Sequence, residues 1–513
     1  MKRLATVPQI AAAMLFCMGP GLAQGSAKVT VSPDGGHPKL KVFIDGRGFG
    51  AKEAVDIYFD TADVLLAVTD KAGRFSGYNL RIPASATPGT HWVTAIGRRD
   101  GIADQVSFRV RTDWPQIGFV PQAKSLNPYE NVIATDNAKT LDTFWTDSLK
   151  ASYDAPSIVK GHLYVPNIYG VVVLDADSGQ EEWQAYFDSF GMGTPALSTN
   201  GYYLYLGDFS GVVHAVNLDT HNEAWRFTAP AGGFTSPTIV NNANIVVVAT
   251  ASDTSDGILY ALDASNGAVK WSYNLAPGDV MTQGGAIAAA NGLVYGVTYL
   301  GNVVALDAAT GSVRWTAFVD NSYGSPVVSN GIVYASQIDG KLYAFNAQTG
   351  STLWTANTGG STCYDPAVGN GMVYLTCGDK KLYAFDAGSG TLLWTASTGS
   401  GVARRPAVAN GVVFAGCDDL KLFAFDARTG SVLWTAAAGG YVGVPPIVVD
   451  GTVYFNTADQ LTAYALDGGS NAIYRRHSPR PAYASLHPDF KLKPAFDGTA
   501  AAVISKGRRP HDD

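Results

Sequence analysis

The sequence has few charged residues and very few cysteines. Charged side chains make up 15% of its 513 residues and the formal net charge is −7, a balance that argues against a nucleic-acid partner. None of the four cysteines is adjacent to another, and the Cys-x-x-Cys-His motif that attaches haem is missing. After residue 24, no apolar run is long enough for a membrane-spanning helix.

Residues 1–24 read as a Sec signal peptide. Lys2 and Arg3 precede an apolar stretch from Ile10 to Met18, and small residues follow near Ala23. Cys17 follows Phe16 rather than a small residue, so the pattern for lipid attachment is absent. We therefore expect a secreted or periplasmic protein.

Tryptophan recurs at nearly constant intervals of roughly 40 residues, a period typical of repeat architectures. The repeated tryptophans are Trp145, Trp183, Trp225, Trp271, Trp315, Trp354, Trp394 and Trp434. Since they occur once per repeat, we interpret them as packing residues between repeats.

Each repeat offers four strands in two hairpins. Asp or Asn stands eight residues before each tryptophan, where a short acceptor closes a turn, and Gly follows four residues later in six of the repeats. The preceding hairpin carries Asn-Gly pairs, as at Asn330-Gly331, Asn370-Gly371 and Asn410-Gly411. Four-stranded repeats of this length predict a β-propeller, here with eight blades over residues 144–474.

The ends of the repeat array predict how the ring closes. The strand at 144–148 has no hairpin ahead of it, and the last hairpin, 445–467, has no tryptophan strand after it. We expect the first strand to complete the last blade, which would remove an exposed edge.

The motif A-x-D-x-x-T-G-x-x-x-W, complete at Ala305–Trp315 and Ala424–Trp434, resembles the tryptophan-docking repeat of the pyrroloquinoline quinone (PQQ)-like propeller family. Residues 113–143 are expected to be a lead-in linker, and the stretch at 113–132 within it is also similar to the segment that opens such propellers. The resemblance implies an all-β, eight-bladed propeller of four-stranded blades. That family includes both quinoprotein dehydrogenases and non-catalytic members.

Two further regions flank the propeller. Residues 25–112 show alternating strands without the tryptophan period, which predicts a small Ig-like β-sandwich with Trp92 in its core. Residues 475–513 are rich in Lys, Arg and Pro, and we expect a solvated, partly ordered extension there.

Three cysteines remain after removal of the signal peptide. Cys363 and Cys377 are equidistant from the turn residue Asn370, so they would face each other across two strands. Cys377 and Cys417 occupy equivalent places in consecutive repeats, which leaves a bridge between blades as the competing pairing.

The resemblance also implies what a catalytic member would need. Quinoprotein dehydrogenases hold PQQ between a vicinal Cys-Cys disulfide and a tryptophan, with Ca²⁺ bound by Glu, Asn and Asp beside a catalytic Asp. This sequence has no Cys-Cys pair, and the glutamates of its propeller (Glu181, Glu182 and Glu223) fall on turns or outer strands. We therefore expect no cofactor, no metal and no catalytic residue.

A break in the repeat marks a candidate site where the innermost strands begin, at the channel mouth. Asp365 and Arg405 are equivalent in neighbouring blades, and the other candidates are Asp154, Tyr364 and Arg404. These residues suit an anionic or carbohydrate-like ligand. The alternative is an ion pair that seals the ring.

These observations favour a non-enzymatic exported propeller that acts as a binding or assembly scaffold for a protein or a small-molecule ligand. The alternative is a PQQ-dependent oxidoreductase that acts on alcohols or sugars.

Overall fold

The computed structural model describes most of the chain between residue 27 and residue 469, together with two short strands near its C-terminal end. The predicted signal peptide, Arg404 and Tyr474 lie outside the described residues. The residues that the structure describes are 27–148, 154–188, 191–198, 200–230, 233–234, 236–240, 243–250, 257–281, 287–322, 324–359, 363–399, 405–417, 420–438, 444–457, 460–469, 490–493 and 502–506.

Residues 27–112, here called the N-terminal unit, form two sheets around one core. Strands β1, β3 and β6 make one sheet; β5, β4, β7 and β8 make the other, with β2 parallel to β8. Val42, Ile57 and Phe108 from both sheets share the buried cluster. The strands are β1 (Lys28–Ser32), β2 (Gly35–Gly36), β3 (Lys41–Arg47), β4 (Ala54–Phe59), β5 (Ala62–Val68), β6 (Phe75–Arg81), β7 (Gly89–Gly97) and β8 (Ile102–Val110).

The prediction that Trp92 belongs to this core was wrong. Val93 and Ala95 on β7 are in the buried cluster, whereas Trp92 is only half-buried and is not part of it. Successive side chains of a strand point to opposite faces, so Trp92 lies on the other face of its sheet.

The described strands between residues 141 and 466 form eight antiparallel sheets of four strands each, and a short strand from the preceding segment adds to one of them in parallel. Two short elements precede or open this region, β9 (Leu126–Asn127) and β10 (Leu141–Asp147), and short 3-10 turns lie at Ala138–Thr140 and Asp467–Gly469. The first four sheets consist of β11 (Ser157–Val159), β12 (His162–Pro166), β13 (Gly170–Asp175) and β14 (Glu181–Tyr186); β15 (Ala196–Leu197), β16 (Tyr203–Gly207), β17 (Val212–Asn217) and β18 (Glu223–Thr228); β19 (Thr238–Val240), β20 (Ile245–Ala249), β21 (Ile258–Asp263) and β22 (Val269–Asn274); and β23 (Ala288–Ala290), β24 (Leu293–Val297), β25 (Asn302–Asp307) and β26 (Val313–Phe318).

The other four sheets repeat this plan, and inner strands of successive sheets contact each other. This is the arrangement of a β-propeller. The sheets are β27 (Val327–Ser329), β28 (Ile332–Ser336), β29 (Lys341–Asn346) and β30 (Thr352–Asn357); β31 (Ala367–Gly369), β32 (Met372–Cys377), β33 (Lys381–Asp386) and β34 (Leu392–Ser397); β35 (Ala407–Ala409), β36 (Val412–Cys417), β37 (Lys421–Asp426) and β38 (Val432–Ala437), to which β9 adds; and β39 (Ile447–Val449), β40 (Thr452–Asn456), β41 (Leu461–Leu466) and β10.

The turns of each repeat have the predicted chemistry. In the fourth sheet, Oδ1 of Asp307 accepts hydrogen bonds from the backbone N–H groups of Ala309 and Thr310 at 3.1 and 3.0 Å. Gly311 then adopts a φ of +72°, and a Cβ there would lie 2.8 Å from the ring of Trp271 in the preceding sheet. Glycine is therefore required both for the turn and for the neighbouring tryptophan.

Tryptophan joins each sheet to the next. The indole Nε1 of Trp315 donates to the carbonyl of Ala347 at 2.9 Å, and the hydroxyl of Tyr295 from the same sheet donates to that carbonyl at 3.0 Å. Equivalent indole bonds, at 2.6 to 3.3 Å, run from Trp145 to Ala176, Trp225 to Ala264, Trp271 to Ala308, Trp354 to Ala387, Trp394 to Ala427 and Trp434 to Leu141.

The first strand of the repeat region closes the last sheet, as predicted. Strand β10 pairs antiparallel with β41, with a bulge between Thr143 and Trp145. The bond from Trp434 to the Leu141 carbonyl then links the seventh sheet to this strand at 2.6 Å.

The lead-in, which the sequence analysis treated as a linker, runs past the inner strand of every sheet. We call Trp114–Asn127 the central segment. It forms a backbone bridge with β11 and hydrogen bonds with the other seven inner strands. These are Leu197 N to Pro115 O, Ile239 N to Gln116 Oε1, Ala289 N to Pro121 O, Val328 N to Gln122 O, Val368 N to Lys124 O, Val408 N to Ser125 O and Asn127 Nδ2 to Val448 O, at 2.7 to 3.1 Å.

The N-terminal unit packs against one end of the propeller. Thr112 N donates to Asp450 Oδ1 at 2.7 Å, and Arg109 lies 3.6 Å from Asp177. Both acidic residues lie in turns that join first to second or third to fourth strands. We call this the docked end, and the opposite end, with the turns between second and third strands, the distal end.

The C-terminal region contributes to the N-terminal unit. Strands β42 (Phe490–Lys493) and β43 (Ala502–Lys506) form a hairpin, and β43 pairs antiparallel with β8. The expectation of a solvated extension missed this pairing, because strand partners distant in sequence leave no local signal.

Truncation separates the contributions of these elements. We expect a chain that starts at Asp113 to fold as a soluble propeller, because it keeps both the central segment and β10. A chain that starts after residue 150 loses both and exposes strand edges, so we expect it to aggregate. Size-exclusion chromatography and thermal unfolding measure this. Equal behaviour of the two chains would show that the ring closes in another way.

Candidate functional site

The residues predicted to line the channel mouth lie directly before the inner strands. In seven sheets, a proline directly precedes the inner strand. The residue before that proline is a second proline, Pro445, in the eighth sheet and a residue other than proline in the remaining six. We call these six residues the channel belt: Ala155, Thr194, Ser236, Ser325, Asp365 and Arg405. Ala155 N donates to Thr194 Oγ1 at 3.1 Å, and Thr194 N donates to Ser236 Oγ at 3.2 Å. The belt thus joins neighbouring sheets through side chain to backbone bonds.

Asp365 and Arg405, predicted as a pair, are brought together. Arg405 Nη2 lies 3.6 Å from Asp365 Oδ2, and Asp365 Oδ1 accepts a hydrogen bond from Ser325 N. Arg405 Nη1 donates to the carbonyl of Ala123 in the central segment at 3.2 Å. The pair therefore connects three sheets to the central segment.

Arg405 is completely buried, with 0% of its surface exposed. Burial lowers the pKa of its guanidinium from the ordinary value, and the charge of Asp365 opposes that shift. Among the described residues, Nε and Nη2 of Arg405 have no hydrogen-bond partner. A buried guanidinium with incomplete hydrogen bonding depends strongly on its one carboxylate.

Asp154 and Tyr364 were also predicted to belong to this site. Asp154 is buried at the first sheet, where Oδ1 accepts from Thr194 Oγ1 at 3.2 Å and its carbonyl accepts from Asn456 Nδ2 at 3.3 Å. Tyr364 is half-buried, and its backbone bonds to Thr376 and Ser336. Arg404 lies outside the described residues, and the described side-chain contact within the predicted site is the one between Asp365 and Arg405.

The cysteine beside this pair is bridged. Cys363 and Cys377 form a disulfide within one hairpin, and Cys417 is buried and lies outside this bridge. Of the two pairings left open by the sequence, the structure has the one within a single sheet. The bridge holds the chain directly before Tyr364 and Asp365.

Sequence reasoning missed Glu130, which follows the central segment. Its Oε1 accepts from the N–H groups of Val132 and Ile133 at 2.9 Å, and its Oε2 accepts from Gly451 N at 3.2 Å. Burial raises the pKa of this carboxyl above its ordinary value, against the effect of these bonds. Glu130 thus ties the lead-in to the turn between β39 and β40.

His214 was also not singled out, although it contacts two carboxylates. Its Nδ1 lies 2.6 Å from Glu223 Oε1 and its Nε2 lies 3.2 Å from Asp208 Oδ2. The imidazole is 2% exposed and stacks on Phe187. In the described structure it lies between a buried carboxylate and a half-buried one, a position that sequence spacing does not reveal.

We tested whether the described residues fit a PQQ and Ca²⁺ centre. The sequence has no adjacent cysteines, and no group of three or more His, Cys, Asp or Glu side chains among the described residues is placed to hold a metal ion. Both carboxylate oxygens of Glu130 already accept hydrogen bonds from backbone N–H groups. This donor set does not fit the centre.

Apolar side chains are exposed at the distal end. Tyr186 and Phe318 end the outer strands of the first and fourth sheets, and they are 62% and 60% exposed. Turns at the same end present further exposed side chains, which are Tyr169, Phe209, Tyr299, Leu300 and Leu420. Exposed aromatic groups of this kind are typical of protein interaction surfaces.

A double-mutant cycle tests the Asp365–Arg405 pair. If the pair seals the ring, Arg405→Ala leaves Asp365 buried and unpaired and lowers stability by about 1 to 3 kcal/mol. Adding Asp365→Ala should recover much of that loss, whereas Arg428→Ala, on an exposed turn of the same sheet, should change little. Thermal and denaturant unfolding measure these effects. A stable Arg405→Ala protein that loses ligand binding would instead favour a ligand site.

The structure contains no helix long and apolar enough to span a membrane within the part of the chain that it describes.

The family model described as outer membrane protein assembly factor BamB matches residues 170–324, 319–405 and 378–473, which together are more than half of the chain. The predicted repeat family is thus confirmed.

Individual relatives come from two kinds of protein. The outer membrane protein assembly factor BamB of Moranella endobia (strain PCIT) is 30% identical over 196 residues, covering 34% of this chain and 49% of that protein. Quinohemoprotein alcohol dehydrogenase of Comamonas testosteroni is 27% identical over 215 residues, covering 38% of this chain and 30% of that protein. The chain therefore spans about half of the first relative's length and less of the second's.

Solved structures show the same fold. The crystal structure of BamB from Moraxella catarrhalis has a TM-score of 0.53 at 19% identity, covering 63% of this chain and 99% of that chain. The structure of quinohemoprotein alcohol dehydrogenase from Comamonas testosteroni has a TM-score of 0.60 at 16% identity, covering 71% and 82%. At these identities, the likeness confirms the β-propeller fold and nothing about activity. Together with the repeat-by-repeat match, it shows that the chain belongs to the family described as the outer membrane protein assembly factor BamB.

Proposed function

We propose that this protein is an exported, non-enzymatic β-propeller that acts as a binding or assembly scaffold for a protein partner. The observation that carries the proposal is the apolar surface at the distal end, around Tyr186 and Phe318. The N-terminal unit packs against the docked end, so the distal end is the propeller face left for a partner.

The relatives support this reading by their names. BamB proteins are assembly factors for outer membrane proteins, and a role of that kind requires protein contacts. A protein partner binds best where aromatic side chains are exposed beside polar groups. The distal end meets this requirement, with Tyr186 hydrogen-bonded through its hydroxyl to Gln184 at 2.8 Å.

Architecture and location complete the proposal. We take the eight sheets to be the eight blades of one closed ring and the N-terminal unit to be an Ig-like module. Export follows from the predicted signal peptide and is supported by the Cys363–Cys377 disulfide, since disulfides persist mainly in oxidising compartments. The periplasm or the exterior is the location that fits both.

The channel interior supports a scaffold more than a ligand cavity. The central segment bonds to the inner strand of each of the eight sheets, and Arg405 is buried beneath it. A small anionic or carbohydrate-like ligand at Asp154, Tyr364, Asp365, Arg404 and Arg405 is the weaker proposal, because the charge of Arg405 is already paired with Asp365 and both residues are buried.

Photo-crosslinking tests the distal surface. A photo-reactive phenylalanine analogue at Tyr186 or Phe318 should form a discrete crosslinked product in envelopes of cells that produce the protein. Tyr202 is a matched control, because it is 53% exposed but lies in a turn at the docked end. Products from Tyr202 alone, or none from either distal site, would contradict the proposed surface.

A PQQ-dependent oxidoreductase that acts on alcohols or sugars is the second candidate, favoured by the quinohemoprotein relative. Because the donor set does not fit PQQ and Ca²⁺, we expect the purified protein to retain no PQQ after incubation with both and desalting. It should also fail to reduce an artificial electron acceptor with alcohols or aldoses. Stoichiometric retention, read from the absorbance spectrum, would overturn the non-enzymatic proposal.

A further inference from the structure

The outward face of the β1-β3-β6 sheet is basic, although the protein as a whole is acidic. Antiparallel register places Lys28 opposite Arg47 and Lys41 opposite Arg81, and all four side chains are exposed. Arg74, also exposed, precedes β6. We call these five residues the basic face. It lies on a protein whose formal net charge is −7.

Within the described part of the chain, the cations of the basic face lack ion-pair partners. None of the five forms an ion pair with another described residue. The two neighbouring carboxylates are used by the backbone: Asp45 accepts from Gly77 N at 2.7 Å, and Asp70 accepts from Ala72 N and Arg74 N. These cations therefore remain available to a ligand.

The face also has a cavity and an aromatic centre. A cavity of about 790 Å³ is lined by three cations, Lys28, Arg47 and Arg74, and by the two carboxylates Asp45 and Asp70 that the backbone uses. Thr30, Ser76 and Tyr78 add polar side chains to its lining. This volume is within the range of small-molecule sites. Beside it, between the two cation pairs, Phe43 is 51% exposed.

The spacing suits an extended chain. Lys41 and Arg47 are six positions apart on β3, which is roughly 20 Å at the rise of a strand. Opposite Phe43 lie Ser32 on β1 and Asn79 on β6, each with a polar side chain. A ligand that reaches both cation pairs is therefore long, carries repeated negative charges and has an apolar surface with hydrogen-bonding groups around it.

We propose that the basic face binds an acidic polysaccharide. Its carboxylate or sulfate groups would pair with Lys28, Arg47 and the other cations. The C–H face of one sugar ring would stack on Phe43 while its hydroxyls bond to Ser32 and Asn79. The choice of a polysaccharide over a nucleic acid rests on the proposed export of the protein. The site lies on the N-terminal unit, apart from the distal surface.

Binding of fluorescently labelled polygalacturonate to the full mature protein tests the proposal, measured by fluorescence anisotropy at low and physiological salt. The double variant Lys28→Gln with Arg47→Gln should bind about tenfold more weakly, as expected for losing two solvent-exposed charge contacts. Phe43→Ser should weaken binding as well. The control pair Lys139→Gln with Lys341→Gln removes the same charge from exposed sites elsewhere and should bind like the unchanged protein.

Neutral dextran, polyglutamate and an oligothymidylate serve as competitors, and a melting curve checks that each variant is folded. We expect none of the three to displace polygalacturonate at equal mass concentration. The proposal is overturned if polygalacturonate fails to bind at low salt, or if the folded double variant binds as tightly as the unchanged protein. Equal displacement by polyglutamate or by the oligonucleotide would also overturn it, in favour of an acidic peptide or a nucleic acid. None of these outcomes depends on crosslinking at the distal end.

Discussion

Docking of each tryptophan onto the next sheet is the interaction on which the structure depends. In six repeats, the indole ring covers the glycine of the neighbouring turn. In seven repeats, the indole N–H donates to a backbone carbonyl of the next sheet. A tyrosine hydroxyl shares that carbonyl in five of the sheets. A four-stranded sheet cannot bury its own apolar faces. This repeated contact packs each sheet against the next, so that neighbouring sheets bury each other's faces. Where glycine is replaced by His221, the imidazole stacks on Trp183 at 4.2 Å, so the contact is kept by different chemistry.

The central segment solves a second problem, at the inner edge of the sheets. Inner strands of only two or three residues expose N–H groups toward the channel, and unpaired buried groups are costly. Backbone and side-chain oxygens of the segment accept most of these bonds. Arg405 donates a hydrogen bond to the carbonyl of Ala123 in this segment, and Glu130, which follows the segment, accepts one from Gly451 of the last sheet. The central segment therefore occupies the inner edge of the sheets, and the two surfaces that we propose for binding, the distal end and the basic face, lie away from it.

Much of the fold could be predicted because its signals are local. The Asp or Asn of each turn, the left-handed Gly and the Asn-Gly pairs act within a few residues, and Asn330 and Gly331 both have positive φ, as such a turn requires. The pairing of β10 with β41 was predictable by counting, since one strand was missing and one was left over. The prediction for Trp92 was wrong because it relied on the aromatic character of the residue and not on the alternation of buried and exposed side chains along β7.

The sequence by itself determined the repeat, its turns and the register of its hairpins, since these depend on neighbours in the chain. It also placed Asp365 and Arg405 at equivalent positions, so that their pairing followed from the period alone. Only the tertiary structure decided the path of the central segment, the burial of Arg405 and Glu130, the pairing of β43 with β8 and the basic face. These features depend on residues that meet from distant parts of the chain, and no local pattern encodes which polar groups a closed ring leaves for them to satisfy.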